Sequence, residues 1–505
     1  RSMNCIRVFS LSLFYLKSCL ASQQYMNKSS NLFILAWYHQ DFYTAPDSIS
    51  WFIKSEEWSS IKESAEKNDF GVPIRKPSEL GYYNLLNKGI REKQGQLAKE
   101  YGVDGFIFYH YWLENRPVMS EVLAKRLLDG EPNIPFMMCL VNEPWQSKFY
   151  NLKTKKLGSG EMLLRMLYDE PEKLFNYLLP FFLHTDYIKI DKKPVYIIYR
   201  APQSTAFDHT VRTLRKLALS HGLPGLHIVQ CLQNFGKNSY LHKWADAGIE
   251  FSSNLLLEDL QCGSTPPLSR SRCTPNGTHH FNGLEVGRVW STQTREGNAA
   301  VLSSRFFRSN HDVMHPSCAF NLKGHNKPVY HGGTVAWDAT PRYPLKKGEP
   351  LPKYNIIPPP EVAASPDSFL KATVSRLCKA LCDAQSLPGQ GGTSSRPNFY
   401  ALFAWNEWGE GATLEPTQLE GRAYLEALKT AKKRVLEQWP GGVCGEPCAE
   451  MRRLRSLEGC HVTAGCFSKF DCWPENLEFL NNGVAVAKKR LDRKGKPGDR
   501  VKKNE

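Results

Sequence analysis

Long apolar runs are missing from this chain. Among its 505 residues no stretch reaches the roughly 18 apolar positions needed to cross a bilayer, which excludes a polytopic membrane protein with transmembrane helices. The signatures of common cofactor sites are missing too. There is no Asp-x-Asp motif to hold a metal diphosphate and no Gly-x-Gly-x-x-Gly dinucleotide fingerprint. Gly389 to Gly392 lacks the Lys-Ser/Thr ending of a phosphate loop. The sequence therefore requires neither a metal nor an organic cofactor. Acidic residues are relatively scarce, with 65 Lys/Arg against 50 Asp/Glu and a net charge of +15. Much of that excess sits in residues 488–505, where nine Lys/Arg face three acids, the composition of a solvated, disordered tail. With no nucleic-acid-binding module in view, no nucleic-acid partner is expected.

Cysteine is abundant: 14 in all, five of them (Cys444, Cys448, Cys460, Cys466, Cys472) in one 29-residue span. A segment that short cannot build its own core, and disulfides suit it. Zinc ligation by Cys444, Cys448, later cysteines and His461 is the other reading, against which stands the absence of paired Cys-x-x-Cys knuckles. Residues 1–22 resemble a signal peptide, with Arg7 in a basic region, an apolar Val8 to Leu16 and small residues before Ala21, although Lys17 interrupts the pattern. Arg1 and Ser2 precede the first methionine, as in a translated fragment. With the acceptor sequons at Asn27 and Asn276, these features predict a secretory-pathway lumen or an extracellular location.

Apolar runs alternate with amphipathic segments, the rhythm of β-α units around a parallel sheet. Strands are expected at Leu32–Trp37, Gly105–Tyr109, Pro135–Val141, Val195–Tyr199, Leu226–Cys231, Ile249–Ser253, more weakly Thr334–Trp337, and Phe399–Trp405. Eight such strands close a (β/α)8 TIM barrel. Helical faces are expected from Val211, Leu214, Leu217 and Leu219, from Phe369, Thr373, Val374, Leu377 and Leu381, and over Gly421–Gln438. The barrel then covers 31–440, with a long rim insertion at 259–326, a Cys-rich C-terminal extension at 441–487 and the basic tail at 488–505.

Polar and aromatic residues recur where these strands end. His39 follows the first; Tyr109, His110 and Trp112 follow the second; Asn142, Glu143 and Trp145 follow the third. Trp337, Asp338 and Arg342 follow the seventh, and Asn406, Glu407, Trp408 and Glu410 the eighth. Acids, amides and aromatic rings gathered at the carboxyl face of a barrel describe a polar, stacking pocket for an oligosaccharide or polysaccharide.

The stretches "SELGYYNLLNKGIREKQGQLAKEYGVDGFIFYHYW", "NEPW", "YIKIDKKPVYIIYR", "VAWDATPR" and "AWNEWGEGATLEPTQLEGRAYLEAL" carry a resemblance. Over about residues 31–435 the chain resembles the WbsX-type proteins, whose domain is similar to glycoside hydrolase family 99; Ala36-Trp37 stands where the family has Pro-Gln. The resemblance implies a (β/α)8 barrel acting on glycosidic bonds, with both catalytic carboxylates in Asn-Glu-Trp-x-Glu, here Glu407 and Glu410. Glu407 would assist the sugar's own 2-hydroxyl in forming an epoxide-like intermediate, and Glu410 would be general acid and then base. A rival pairing, Glu143 with Glu407, follows from the Asn-Glu-Pro motif of many retaining glycosidases; otherwise Glu143 binds substrate. Three functions stay open: a retaining glycoside hydrolase, a WbsX-type glycosyltransferase in polysaccharide or glycan assembly, and an inactive carbohydrate-binding barrel.

Overall fold

The computed structural model describes residues 32–43, 57–68, 71–146, 150–151, 156–157, 162–200, 205–232, 241–251, 278–281, 284–288, 299–301, 327–342, 355–357, 364–385 and 398–437. The signal-like start, both sequon asparagines, the Gly389–Gly392 stretch, the cysteine cluster from Cys444 to Cys472 and the basic tail lie outside these residues.

Eight parallel strands close on themselves: β1 (Leu32–Tyr38), β2 (Gly105–Leu113), β3 (Phe136–Leu140), β4 (Lys193–Ile198), β5 (His227–Leu232), β6 (Ala247–Glu250), β7 (Val329–Thr334) and β8 (Asn398–Phe403). Closure is set by β1, which pairs with β2 from Leu35↔Gly105 and with β8 from Leu32↔Asn398. Helices α1 (Glu57–Glu63), α2 (Lys88–Glu100), α3 (Glu121–Asp129), α4 (Pro171–Leu183), α5 (Thr205–Ser220), α6 (Pro366–Gln385) and α7 (Ala423–Glu437) accompany the strands. With the barrel interior on one side and helices on the other, β1, β3, β5, β6 and β8 are buried at every position, which is why apolar residues predominate on both of their faces. Among the described residues no helix is long and apolar enough to cross a membrane.

Local sequence explains the helix ends. The side chain of Asn87 accepts a hydrogen bond from Gly89 N at 2.9 Å and caps α2, while Pro171 opens α4 and Gly130, with φ of 79°, closes α3. Buried Arg91 of α2 grips Asp129 with both terminal nitrogens at 2.9 and 2.6 Å, tying α2 to α3.

Several strands depart from expectation. The second runs on to Leu113, the fourth begins at Lys193 and the sixth at Ala247, and the seventh occupies Val329–Thr334 rather than starting at Thr334. The seventh reads as a turn because His331-Gly332-Gly333 breaks its apolar run. At Gly332 a Cβ would fall 2.4 Å from the carbonyl oxygen of Glu250, so only glycine lets β7 approach β6 this closely. On α5, Val211 and Leu214 are buried whereas Leu219 is 60% exposed, so the packed face ends at Ala218. Within 259–326 the described residues form a hairpin of Thr278–Phe281 with Leu284–Arg288, and a short strand, Ala299–Val301, paired with Asn355–Ile357.

Candidate active site

A belt of aromatic rings crosses the carboxyl end of the barrel. Trp37 of β1 stacks on Tyr109 of β2 at 5.2 Å and meets Phe251, just beyond β6, edge-on at the same distance. Phe251 also touches Tyr199, just beyond β4, at 5.4 Å and Phe403 of β8 at 4.9 Å. Strands that are not neighbours can share such contacts only across the interior. These side chains therefore point inward, and the period-two alternation of a strand turns the residues beside them outward.

That alternation corrects two expectations. His110 and Trp112, placed in the cavity by the sequence reading, both face α4. His110 is 1% exposed, lies 2.8 Å from the hydroxyl of Tyr196 and packs on Tyr177, which Trp112 also contacts. Burial pulls the His110 imidazole down to about 3, so it is a neutral packing group.

The eighth strand delivers the acids. After Phe403 the chain makes a two-residue ladder, Asn406–Glu407 against Ala412–Thr413, enclosing a 3-10 turn, Trp408–Glu410, that ends at Gly411 with φ of 61°. Glu407 is 2% exposed and Glu410 partly exposed. Both act on the aromatic belt. Burial first, then Tyr199 and other neighbours including the Glu407 charge, hold the Tyr109 hydroxyl well above its usual range. Burial, Glu143 and Glu410 do the same to Tyr199, whose ring lies 6.2 Å from that of Tyr109.

His39 lies against Glu407, Nε2 to Oε2 at 2.5 Å, a contact that becomes an ion pair when the imidazole is protonated and then offsets the cost of burying the carboxylate. The preceding Asn406 is fully buried and spends its amide on the same histidine. Its Oδ1 accepts from His39 N and its Nδ2 donates to His39 O, both at 2.8 Å. Asn142 and Glu143 repeat the device at the seam of β3 and β4. Asn142 Oδ1 accepts from Arg200 N at 2.7 Å, its Nδ2 donates to Arg200 O at 2.6 Å, and Glu143 forms an ion pair with the Arg200 guanidinium. Both asparagines thus clip a neighbouring strand end. Trp145 meets Tyr111 edge-on at 5.2 Å, and the Tyr111 hydroxyl donates to Asp41 at 3.1 Å.

Asp338 lies behind Glu410. Its backbone N–H donates to Glu410 O at 2.8 Å, and its carboxylate accepts from Asn68 Nδ2 and Thr340 N, both at 3.0 Å. Burial raises its pKa. Trp337 stacks on Phe403 at 5.8 Å, and the side chain of Arg342 lies outside the described residues. Trp405 and Trp408 are 0% and 1% exposed, and Trp408 Nε1 donates to Glu415 at 2.8 Å. They anchor the turn from beneath rather than offering a face to a sugar.

Sequence reasoning passed over Glu415, Tyr83, Gln94, Tyr199 and Phe251. Glu415 is 1% exposed and accepts from Tyr83 at 2.7 Å and Gln94 at 2.6 Å besides Trp408; burial pushes its carboxyl up to about 7 against those bonds. Its only local signal was its place in the same acid-rich stretch as Glu407 and Glu410. Among the described residues no group of three or more His, Cys, Asp or Glu is placed to hold a metal ion.

The protein called uncharacterized protein WxcX from Xanthomonas campestris pv. campestris is 24% identical over 409 residues, covering 80% of this chain and 50% of its own length, and its counterpart from strain B100 matches equally. The chain thus spans about half the length of these curated relatives. A solved structure described as a glycoside hydrolase-like protein is 13% identical with a TM-score of 0.39, covering 79% of this chain and 93% of its own. The GH99 endo-alpha-mannosidase from Bacteroides thetaiotaomicron is 11% identical with a TM-score of 0.38, covering 80% and 97%. The family described as glycosyltransferase WbsX matches residues 34–349 and 370–428. With most of its length so matched, the chain belongs to the glycosyltransferase WbsX family.

Proposed function

We propose that this chain is a carbohydrate-active enzyme, a retaining glycoside hydrolase in which Glu407 and Glu410 carry the chemistry. The observation that supports this reading most is the His39–Glu407 contact of 2.5 Å at the barrel's carboxyl mouth. The alternative carboxylate, Glu143, is tied to a guanidinium, a group that exchanges no proton in a reaction cycle. The partner of Glu407 is an imidazole, a ring that can both accept and donate a proton. A carboxylate that must accept a proton and return it is better served by the second arrangement.

The reaction this reading describes balances as follows. Glu407 takes the proton of the sugar 2-hydroxyl as that oxygen attacks the anomeric carbon, and Glu410 gives its proton to the departing glycosidic oxygen. Glu410 then takes a proton from water, whose oxygen opens the epoxide-like ring at the anomeric carbon, while the 2-oxygen recovers its proton from Glu407. Tyr109, Trp145 and Trp337 would contact the sugar, and Asn142 and Asn406 would fix the strand ends that present it. The family's description favours a second reading, glycosyl transfer in glycan or polysaccharide assembly. Incubation with α-mannosides, other oligosaccharides and nucleotide sugars in H2¹⁸O, read by mass spectrometry, separates the two. Label at the new reducing end supports hydrolysis. An unlabelled, lengthened acceptor formed from a nucleotide sugar would overturn it.

A further inference from the structure

We propose that Glu415 is a positioning residue for the His39–Glu407 pair, acting through Tyr83 and Asn406. The inference rests on the reading that Glu407 is catalytic, and the hydrogen-bond accounting carries it. The single Tyr83 hydroxyl proton goes to Glu415 Oε2 at 2.7 Å, leaving the oxygen of Tyr83 to accept Asn406 Nδ2 at 3.3 Å. The other Nδ2 hydrogen goes to His39 O, and Asn406 Oδ1 accepts from His39 N, each at 2.8 Å.

Every hydrogen of the Asn406 amide is thus assigned, and its orientation is fixed from one end. A flipped amide would set Nδ2 against the His39 N–H and Oδ1 against the His39 carbonyl, losing both clips. What forbids the flip beyond His39 itself is the lone pair of Tyr83, which is available only while Glu415 accepts the hydroxyl proton. Glu415 is in turn held by Gln94 Nε2 at 2.6 Å and Trp408 Nε1 at 2.8 Å, and Gln94 by the Tyr38 hydroxyl at 2.6 Å. Tyr38, Gln94, Asn406, Trp408 and Glu415 are no more than 1% exposed and Tyr83 is 5%, so no solvent substitutes for a lost partner.

The test needs no substrate, so its failure is separable from failure of the proposed activity. The full-length chain, labelled with ¹⁵N-histidine, is examined by NMR, and the His39 ring signal is identified by its loss in His39→Gln. A strongly downfield Nε2 proton is expected in the wild type, as the mark of the short contact with Glu407. Tyr83→Phe, nearly isosteric, and Glu415→Leu should each shift that proton upfield or broaden it beyond detection. Glu415→Gln, whose side-chain oxygen can still accept the Tyr83 proton, should restore it. Near-ultraviolet circular dichroism reports whether each variant keeps its packing. An unchanged downfield proton in folded Tyr83→Phe would overturn the proposal. So would its survival in Glu415→Leu, or a loss in Glu415→Gln as complete as in Tyr83→Phe.

Discussion

Removing Arg376 while leaving Glu250 in place should be among the most damaging single changes available on the barrel. Glu250 ends β6 with no exposure, and its Oε2 receives Arg376 of α6 at 3.3 Å, His331 Nδ1 of β7 at 3.1 Å and the backbone N–H of Gly332 at 3.1 Å. Burial alone would raise its pKa, yet His331, Arg376 and the hydrogen bonds outweigh it and hold the carboxyl at about 2 rather than 4.5. At about 1.4 kcal/mol per pH unit, that depression corresponds to roughly 3 kcal/mol of preference for the charged form. The depressed pKa gives stability that is present above about pH 4.5 and is lost as the pH falls toward 2. Arg376→Met leaves a buried charge with one cationic partner fewer, and the cost of breaking such a pair from one side is about 3–5 kcal/mol. Equilibrium urea unfolding at pH 7 should show that loss, and the variant should lose less on acidification than the wild type does. Glu250→Gln combined with Arg376→Met, which removes both charges, should recover most of it. A single variant within about 1 kcal/mol of wild type, or a double variant no better than the single, would refute the reasoning.

Glu407→Gln and Glu410→Gln should each lower turnover of whichever glycan the panel identifies by about 10²-fold or more, Glu410→Gln recovering on aryl glycosides whose leaving groups need little protonation. Full turnover in both, with none in Glu143→Gln, would move the chemistry to the Asn-Glu-Pro motif. Gly332→Ala should cost about 1–3 kcal/mol in urea unfolding, because its Cβ meets backbone that cannot turn aside; a neutral result would mean β6 and β7 separate freely. For the cysteines from Cys444 to Cys472, non-reducing mass spectrometry of material from the native source should find bridged peptides, and five free thiols would sink the proposal of an oxidised extension in a secreted protein.

The barrel was legible where chemistry is local. Most of its strands are predominantly apolar on both faces, because a strand covered on both sides needs no polar alternation. The strand Val329–Thr334 was not, since its Gly332 answers to β6, a partner about 80 residues upstream. In the site, the carboxylates were legible because they cluster in one short stretch, but the direction of each side chain was not. Tyr109, His110, Tyr111 and Trp112 all suit a sugar pocket by type, and only the phase of the pleat sends Tyr109 inward and His110 under α4. Glu415 was counted as an acid and given no task, for its partners Gln94 and Tyr83 lie 321 and 332 residues away.

The two Asn-Glu pairs show how far local sequence can lead. Each follows a barrel strand, and in each the asparagine binds the backbone of a residue just beyond the adjacent strand while the glutamate binds that residue's side chain. The asparagine amide, with one acceptor and a donor side by side, copies a backbone peptide and extends the ladder by one rung past the point where the strands diverge. A glutamate next in sequence is then held beside the clipped residue, so the dipeptide fixes an acid at a strand seam whatever its task. The partner decides what that acid can do. At Arg200 it is a permanent cation, with both side chains partly in solvent, and the pair resembles a rim clamp. At His39 it is a titratable ring against a carboxylate with 2% exposure, and proton exchange becomes accessible. From sequence the two motifs rank equally as catalytic candidates; the residue each one clips, invisible until the strands are paired, separates them.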